Sequence, residues 1–129
     1  LINRMLPLLL LVCASLAHAD WARLESPLKD PVLYRDDGSV EKTGPDTFKA
    51  WHVVDYAADQ DYEGKPFRSM KLNYEYDCGK RMVREWLRVL HRGAMGNGLT
   101  VYWTHGPWPL TKPEAGSVDD ALLTAMCKR

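Results

Sequence analysis

"RSMKLNYEYDC" (residues 68–78) alternates apolar and polar side chains without a break. Met70, Leu72, Tyr74, Tyr76 and Cys78 fall on one side; Ser69, Lys71, Asn73, Glu75 and Asp77 fall on the other. A period of two is that of a β-strand with one face buried and one face wet. Cys78 shares the apolar face, and its sulfur therefore points toward a core. Lys80 and Arg81 close by would favour a reactive thiolate if Cys78 were exposed, but an inward sulfur suits a structural bridge to a packed element better.

The compartment supports the bridge. "LINRMLPLLLLVCASLAHADW" (residues 1–21) carries one cation at Arg4, an apolar run from Leu6 to Leu16, and Ala17-His18-Ala19 ahead of Asp20. A short apolar run closed by small-x-small predicts a secretory signal peptide over residues 1–19, too short to be a spanning helix. The domain proper then runs over residues 20–129, a size that suits one domain with one core. Lipid attachment at Cys13 is not expected, because Leu11-Val12 precede it and such a signal requires a small residue there. Of the chain's 3 cysteines, Cys13 leaves with the leader, and the remaining even pair in an oxidising compartment reads as a Cys78–Cys127 disulfide.

The partner cysteine ends "GSVDDALLTAMCKR" (residues 116–129). Ser117 is a good N-cap, Asp120 three residues on makes a capping-box-like start, and Asp119 and Asp120 lie at the positive end of the helix dipole. Val118, Leu122, Ala125 and Met126 form an apolar stripe, with Leu123 and Cys127 beside it. A helix this short is marginal alone, and a tether to the sheet at Cys78 compensates.

Other segments read as strands: "PVLYRDDGSV" (31–40) as a strand, a turn and a second short strand, "FKAWHVVDYA" (48–57) and "GLTVYWTH" (98–105) as strands by their β-branched and aromatic content. Residues 82–91 fit two templates. Met82, Val83, Trp86, Leu87, Val89 and Leu90 make a helix face with Arg81, Arg84, Arg88 and Arg92 opposite, a pattern slightly favoured by periodicity, yet the same spacing accommodates strands.

Composition and motifs bear on function mainly by exclusion. Lys plus Arg and Asp plus Glu each number 17, and loss of Arg4 leaves a slightly acidic domain; such a balance does not call for a nucleic acid or an anionic membrane as partner. Once the leader is cleaved, no integral membrane segment is expected. His52, His91 and His105 lack paired metal-ligand spacing and read as strand-surface or loop residues. Asp36-Asp37 and Asp59-Gln60-Asp61 read as a turn and a solvated loop, not as acid/base pairs. No catalytic residue, no metal ligand and no cofactor is therefore expected. The 5 tryptophans are the feature most open to a binding role: Trp21, Trp51, Trp86 and Trp103 lie in expected strands, where core or cross-strand packing is the ordinary reading, and Trp108 lies in a proline-rich loop where exposure is expected.

The order of these features resembles the surface-adhesin protein E family of small secreted proteins. Trp21, "YRDDGSV" (34–40), "KAWHVVDY" (49–56), "FRSMKLNYEYDCGKR" (67–81) and "PEAGSVDDALLTAMC" (113–127) carry the likeness across nearly the whole domain. It implies an α+β fold, a twisted antiparallel sheet of about six strands with a disulfide-tethered C-terminal helix, the bridge being Cys78–Cys127. It also turns residues 82–91 from helix to strand, paired with residues 69–77 through a turn at 77–81. On that register Arg84, Trp86 and Arg88 share a face; with Trp108 they are the candidate ligand-binding residues, since Trp and Arg are favoured hot-spot types.

Functionally the resemblance implies a non-catalytic, adhesin-like module on the outer cell surface that binds host matrix or serum glycoproteins such as laminin and vitronectin, and that forms a homodimer. A soluble periplasmic component of envelope assembly is the alternative reading of the same features. A small secreted hydrolase is a third, opposed by the lack of a nucleophile beside a base.

Overall fold

A computed structural model describes residues 20–128; the expected signal peptide over residues 1–19, with Cys13, lies outside the described residues. Seven strands and one helix follow in order: β1 (Trp21–Arg23), β2 (Val32–Asp36), β3 (Glu41–Lys42), β4 (Thr47–Tyr62), β5 (Lys65–Asp77), β6 (Met82–His91), β7 (Thr100–His105) and α1 (Val118–Cys127). They form one antiparallel sheet in the order β1-β2-β4-β5-β6-β7, with the two-residue β3 on β4 beside β2. The strand count is thus seven where about six were expected. The second short strand expected within residues 31–40 forms just beyond them, as β3, after the 3₁₀ turn at Asp37–Ser39.

Residues 82–91 are strand throughout, paired antiparallel to β5 from Asp77↔Met82 to Ser69↔His91. The turn between the two strands is closed by the Asp77 carboxylate, which accepts from the Lys80 N–H at 2.9 Å, and by Arg81 in the left-handed region at φ 53°. Helix periodicity in this segment was real as a pattern but had no helix to serve. A neighbouring strand with its own apolar face supplies the ladder that decides the matter, a tertiary effect that local preference does not contain.

Residues on the inner side of the sheet meet α1. Ala50 and Val54 of β4, Met70, Leu72, Tyr74 and Tyr76 of β5, Val83 and Leu90 of β6, and Leu33 of β2 pack with Ala121, Leu122, Leu123 and Met126 of the helix into one cluster. Ser117 caps the helix as expected, its hydroxyl accepting from the Asp120 N–H at 3.1 Å, while the Asp120 carboxylate accepts from the Gly116 N–H at 3.1 Å. The disulfide joins Cys78, just past β5, to Cys127 in the last turn, across 49 residues of sequence.

Two further features shape the sheet. The β4–β5 hairpin bends at a register shift between Asp55 and Gln60, and its far end curls across the inner side. Tyr62 of β4 thereby stacks on Tyr102 of β7 at 4.4 Å between ring centres although two strands separate them in the sheet. On the outer side, residues 92–99 fold back over β4 and β5: the Ser69 hydroxyl donates to the Gly93 carbonyl and accepts from the Gly96 N–H at 2.8 Å, and Asp55 accepts from the Met95 N–H. Gly96 is required there, since at φ +72° a Cβ would lie 2.6 Å from Lys71 Cε.

Closing a loop of this length is worth about 4 kcal/mol on the chain-entropy model. The Cys78→Ala/Cys127→Ala double variant is accordingly expected to lose most of that in urea unfolding, with an unchanged strand signal in far-UV circular dichroism at low denaturant. Equal midpoints for the two proteins would show that the helix is held by its apolar stripe alone.

Candidate functional site

Because α1 covers one side of the sheet only, the other side is where exposed chemistry collects. Trp21 of β1, Trp51 of β4, Trp86 of β6 and Trp103 of β7 all lie there. Trp21 and Trp51, with Asp36 and Lys71, line a hollow of about 290 Å³; Trp103 pairs with Val89, which pairs with Lys71 on the same side. None of the four belongs to the core cluster, and Trp103 is 56% exposed. Of the expected core or cross-strand packing, the core alternative is corrected on this point, while Trp86 does pack across strands on Lys49 and Glu75. On β4 and β7 the inner residues are one step out of phase with these tryptophans, and on β6 a register shift keeps Trp86 outward, so the rings face away from the helix.

The four candidate residues separate into two sets. Arg84 and Trp86 lie on the outer side, held by Glu75: the Trp86 indole N–H donates to its carboxylate at 3.3 Å, and Arg84 reaches the same oxygen at 3.5 Å. Lys49 sits over the Trp86 ring, 4.0 Å from its centre, a cation–π contact worth about 0.5–1 kcal/mol at an exposed site. Arg88 does not join them. Between Asn73 and Tyr74 the β5–β6 register shifts, Leu87 facing Asn73 and Glu85 facing Tyr74. Trp86 is the extra residue, and a bulge of one residue moves everything beyond it to the other face. The expected shared face of Arg84, Trp86 and Arg88 is therefore corrected.

Arg88 instead faces the helix side, where its Nε donates to Glu85 at 2.5 Å and its Nη2 to the Tyr74 hydroxyl at 3.0 Å. With Tyr74, Val83, Glu85, Pro109, Thr111 and Asp119 it lines a cleft of about 280 Å³, and Trp108, 48% exposed as its loop position led one to expect, lines the same cleft. The structure thus unites Arg88 with Trp108. Burial pushes the Tyr74 hydroxyl and the Asp119 carboxyl above their ordinary ranges, opposed for Asp119 by Tyr74 and Arg88. A larger cleft of about 400 Å³ adjoins it through Glu85 and Arg88, walled by Tyr62, Phe67 and Met70 of the curled hairpin and by Tyr102 and Thr104 of β7.

The histidines also need correction, because of the three among the described residues only His105 is a surface residue. His52 is fully buried and His91 nearly so. His52 Nδ1 lies 3.1 Å from the Tyr34 carbonyl and Nε2 2.8 Å from the Tyr76 hydroxyl. A carbonyl can only accept, so Nδ1 carries the proton and Tyr76 donates to Nε2. Both nitrogens are satisfied in the neutral ring, and His52 and Tyr76 form a core polar pair. Burial lowers the His52 pKa to about 4, only partly offset by the Tyr34 carbonyl.

Sequence comparison and structural comparison agree with this architecture. A family model described as "Surface-adhesin protein E" matches residues 21–128. The crystal form II structure of Haemophilus influenzae protein E is similar at TM-score 0.59 and 13% identity, covering 86% of this chain and 89% of that one. Another structure of Haemophilus influenzae protein E gives TM-score 0.55 at 15% identity with 86% of each chain covered, and protein E from non-typeable Haemophilus influenzae gives 0.52 at 14%, again with 86% of each. At such identities the likeness is one of fold. No curated protein sequence matches the chain.

A histidine whose folded pKa lies below its unfolded value stabilises the fold fully only above the unfolded value. Stability should thus fall as pH drops from 6.5 toward about 4, by on the order of 3 kcal/mol from His52 when the whole interval is crossed. His91, shifted the same way by burial, adds to the trend. Urea midpoints across that window should decline less steeply in His52→Gln than in the parent; identical slopes would remove His52 as the cause.

Proposed function

The chain belongs to the surface-adhesin protein E family, and on that premise we propose that it is an exported, non-catalytic, adhesin-like module that docks other proteins on the helix-free side of its sheet. The observation that carries this reading is the placement of Trp21, Trp51, Trp86 and Trp103 on the same, outer side of the sheet, flanking the part that residues 92–99 cover. Large aromatic rings displayed together with Arg84 are of the residue types in which protein–protein hot spots are enriched. A host matrix or serum glycoprotein is the partner class, reached from the outer cell surface after removal of residues 1–19.

Within this reading Arg84 and Trp86 form the principal contact, because Glu75 and Lys49 fix both side chains before a partner arrives and little ordering entropy remains to be lost. Trp108 and Arg88 form a second contact from the helix side, with Arg88 mostly occupied by Glu85 and Tyr74. The protein acts as a monomer or as a homodimer with the same two surfaces.

Two measurements test the proposal. Protease shaving of intact cells should degrade the protein; protection until the outer membrane is opened would make it a periplasmic component of envelope assembly instead. Binding of the purified domain to immobilised laminin and vitronectin should weaken about tenfold or more in the Arg84→Ala/Trp86→Ala variant, and less in Trp108→Ala, with the folded far-UV circular dichroism spectrum retained in both. Undiminished binding by the double variant would move the contact off this face.

A further inference from the structure

The two edges of the sheet are built differently. One ends in the three-residue β1 and the two-residue β3, both bearing charges, at Arg23 and at Glu41 and Lys42. Short, charged strands of this sort discourage pairing with another chain. The other edge is β7, "TVYWTH", six residues with no Lys, Arg, Asp, Glu or Pro. Leu99 just ahead of it is 80% exposed, and Tyr102 and Trp103 are exposed too. Its one irregularity, the register shift opposite Leu90 and His91, falls at its start and leaves residues 102–105 as regular strand.

The ladder fixes which backbone groups of that strand are free. The Gly106 N–H donates to the Trp86 carbonyl at 2.8 Å, and in an antiparallel pair such bonded positions recur every second residue. With Tyr102↔Leu90 and Thr104↔Arg88 in register, Tyr102 and Thr104 turn their N–H and C=O groups toward β6. Trp103 and His105 turn theirs outward, and among the described residues no backbone group of another element meets them. On the inner side, Tyr102 and Thr104 border the cleft of about 400 Å³ that Tyr62, Phe67, Met70 and Leu90 also line.

We propose that the β7 edge receives an extended, proline-free segment of a partner protein, which adds a strand through Trp103 and His105 and places an aromatic or long aliphatic side chain against the cleft beside Tyr102 and Thr104. Main-chain bonds supply affinity in this mode and an adjoining pocket supplies side-chain selection. An uncharged segment is the complement, because β7 offers no charged side chain to pair with one. A second copy fits less well: one six-residue strand against its twin covers far less than the roughly 1,200–2,000 Å² of a stable interface, whereas a segment also filling the cleft adds apolar burial. This inference rests on the reading that the protein acts by binding proteins, but it uses the sheet's edge and not its outer face.

Amide hydrogen exchange, read residue by residue on the disulfide-bonded domain, tests it. In the free protein Tyr102 and Thr104 should exchange slowly and Trp103 and His105 fast. A capped peptide, Ser-Thr-Val-Thr-Phe-Thr-Ser, added at about millimolar concentration should slow Trp103 and His105 at least about tenfold. Trp103→Pro removes an outward N–H and no ladder bond, so the fold should persist while the effect is lost; Trp103→Thr, which keeps the N–H and drops the ring, should retain it. Protection of Trp103 that grows with protein concentration and without peptide would overturn the proposal in favour of a second copy. Absence of any peptide effect, or its survival in Trp103→Pro, would overturn it as well. Retained laminin or vitronectin binding through Arg84 and Trp86 alongside a failed edge experiment leaves the outer-face reading standing and removes only this one.

Discussion

The covalent link between the end of β5 and the last turn of α1 is the constraint from which the asymmetry of the molecule follows. A ten-residue helix cannot hold its own backbone order in water, and here it has a single anchored end and a well-formed cap at the other. Tethered at Cys127, the apolar stripe has one surface within reach, the inner side of β4, β5 and β6. One sheet face is thereby dried by the helix, and the other stays wet outside the part that residues 92–99 cover. The same bridge also removes the thiol whose neighbours Lys80 and Arg81 would otherwise suit it to chemistry.

A wet face need not be a bland one. Charged and aromatic residues alternate across it so that Lys49 lies over Trp86, and Glu75 holds Trp86, Arg84 and the Thr43 hydroxyl at once. The rings are half covered by neighbours of either charge, which limits the continuous apolar area that would drive nonspecific association. Trp86 is in addition held in place by its bond to Glu75 and by Lys49 over its ring. The bulge at Trp86 contributes to both ends, because it keeps Trp86 on the outer side with Arg84 and sends Arg88 inward to neutralise Glu85 beside the buried Tyr74.

The alternation of residues 69–78 made β5, the inward Cys78 and hence the bridge legible without coordinates, and "GSVDD" made the helix start legible, because both depend on neighbours in sequence. The side occupied by Arg88 was not legible. A bulge is a property of two strands together, and nothing within residues 82–91 marks Trp86 as the residue without a partner. His52 stands between: it is in phase with Ala50 and Val54, both core residues, so its burial could have been read from β4, but its partners Tyr34 and Tyr76 come from two other strands. The meeting of Tyr62 with Tyr102 required a bend in β4 and a curl across two strands, a long-range consequence that no local pattern encodes.

Edge and face then impose different demands on one short strand. Trp103 turns its side chain to the outer face and its backbone away from β6, so a single residue belongs to the tryptophan surface and to the open margin of the sheet. Proteins that leave such a margin uncharged accept a risk of pairing with themselves, and most avoid it. In this chain Gly106-Pro107 and Pro109 follow β7 at once, and proline cannot extend a ladder, so any added strand is confined to the few residues from Trp103 to His105. That length is too short to sustain an aggregate by backbone pairing alone. It is enough for a guest segment whose side chain also finds the cleft, which makes selectivity depend on the pocket and not on the edge.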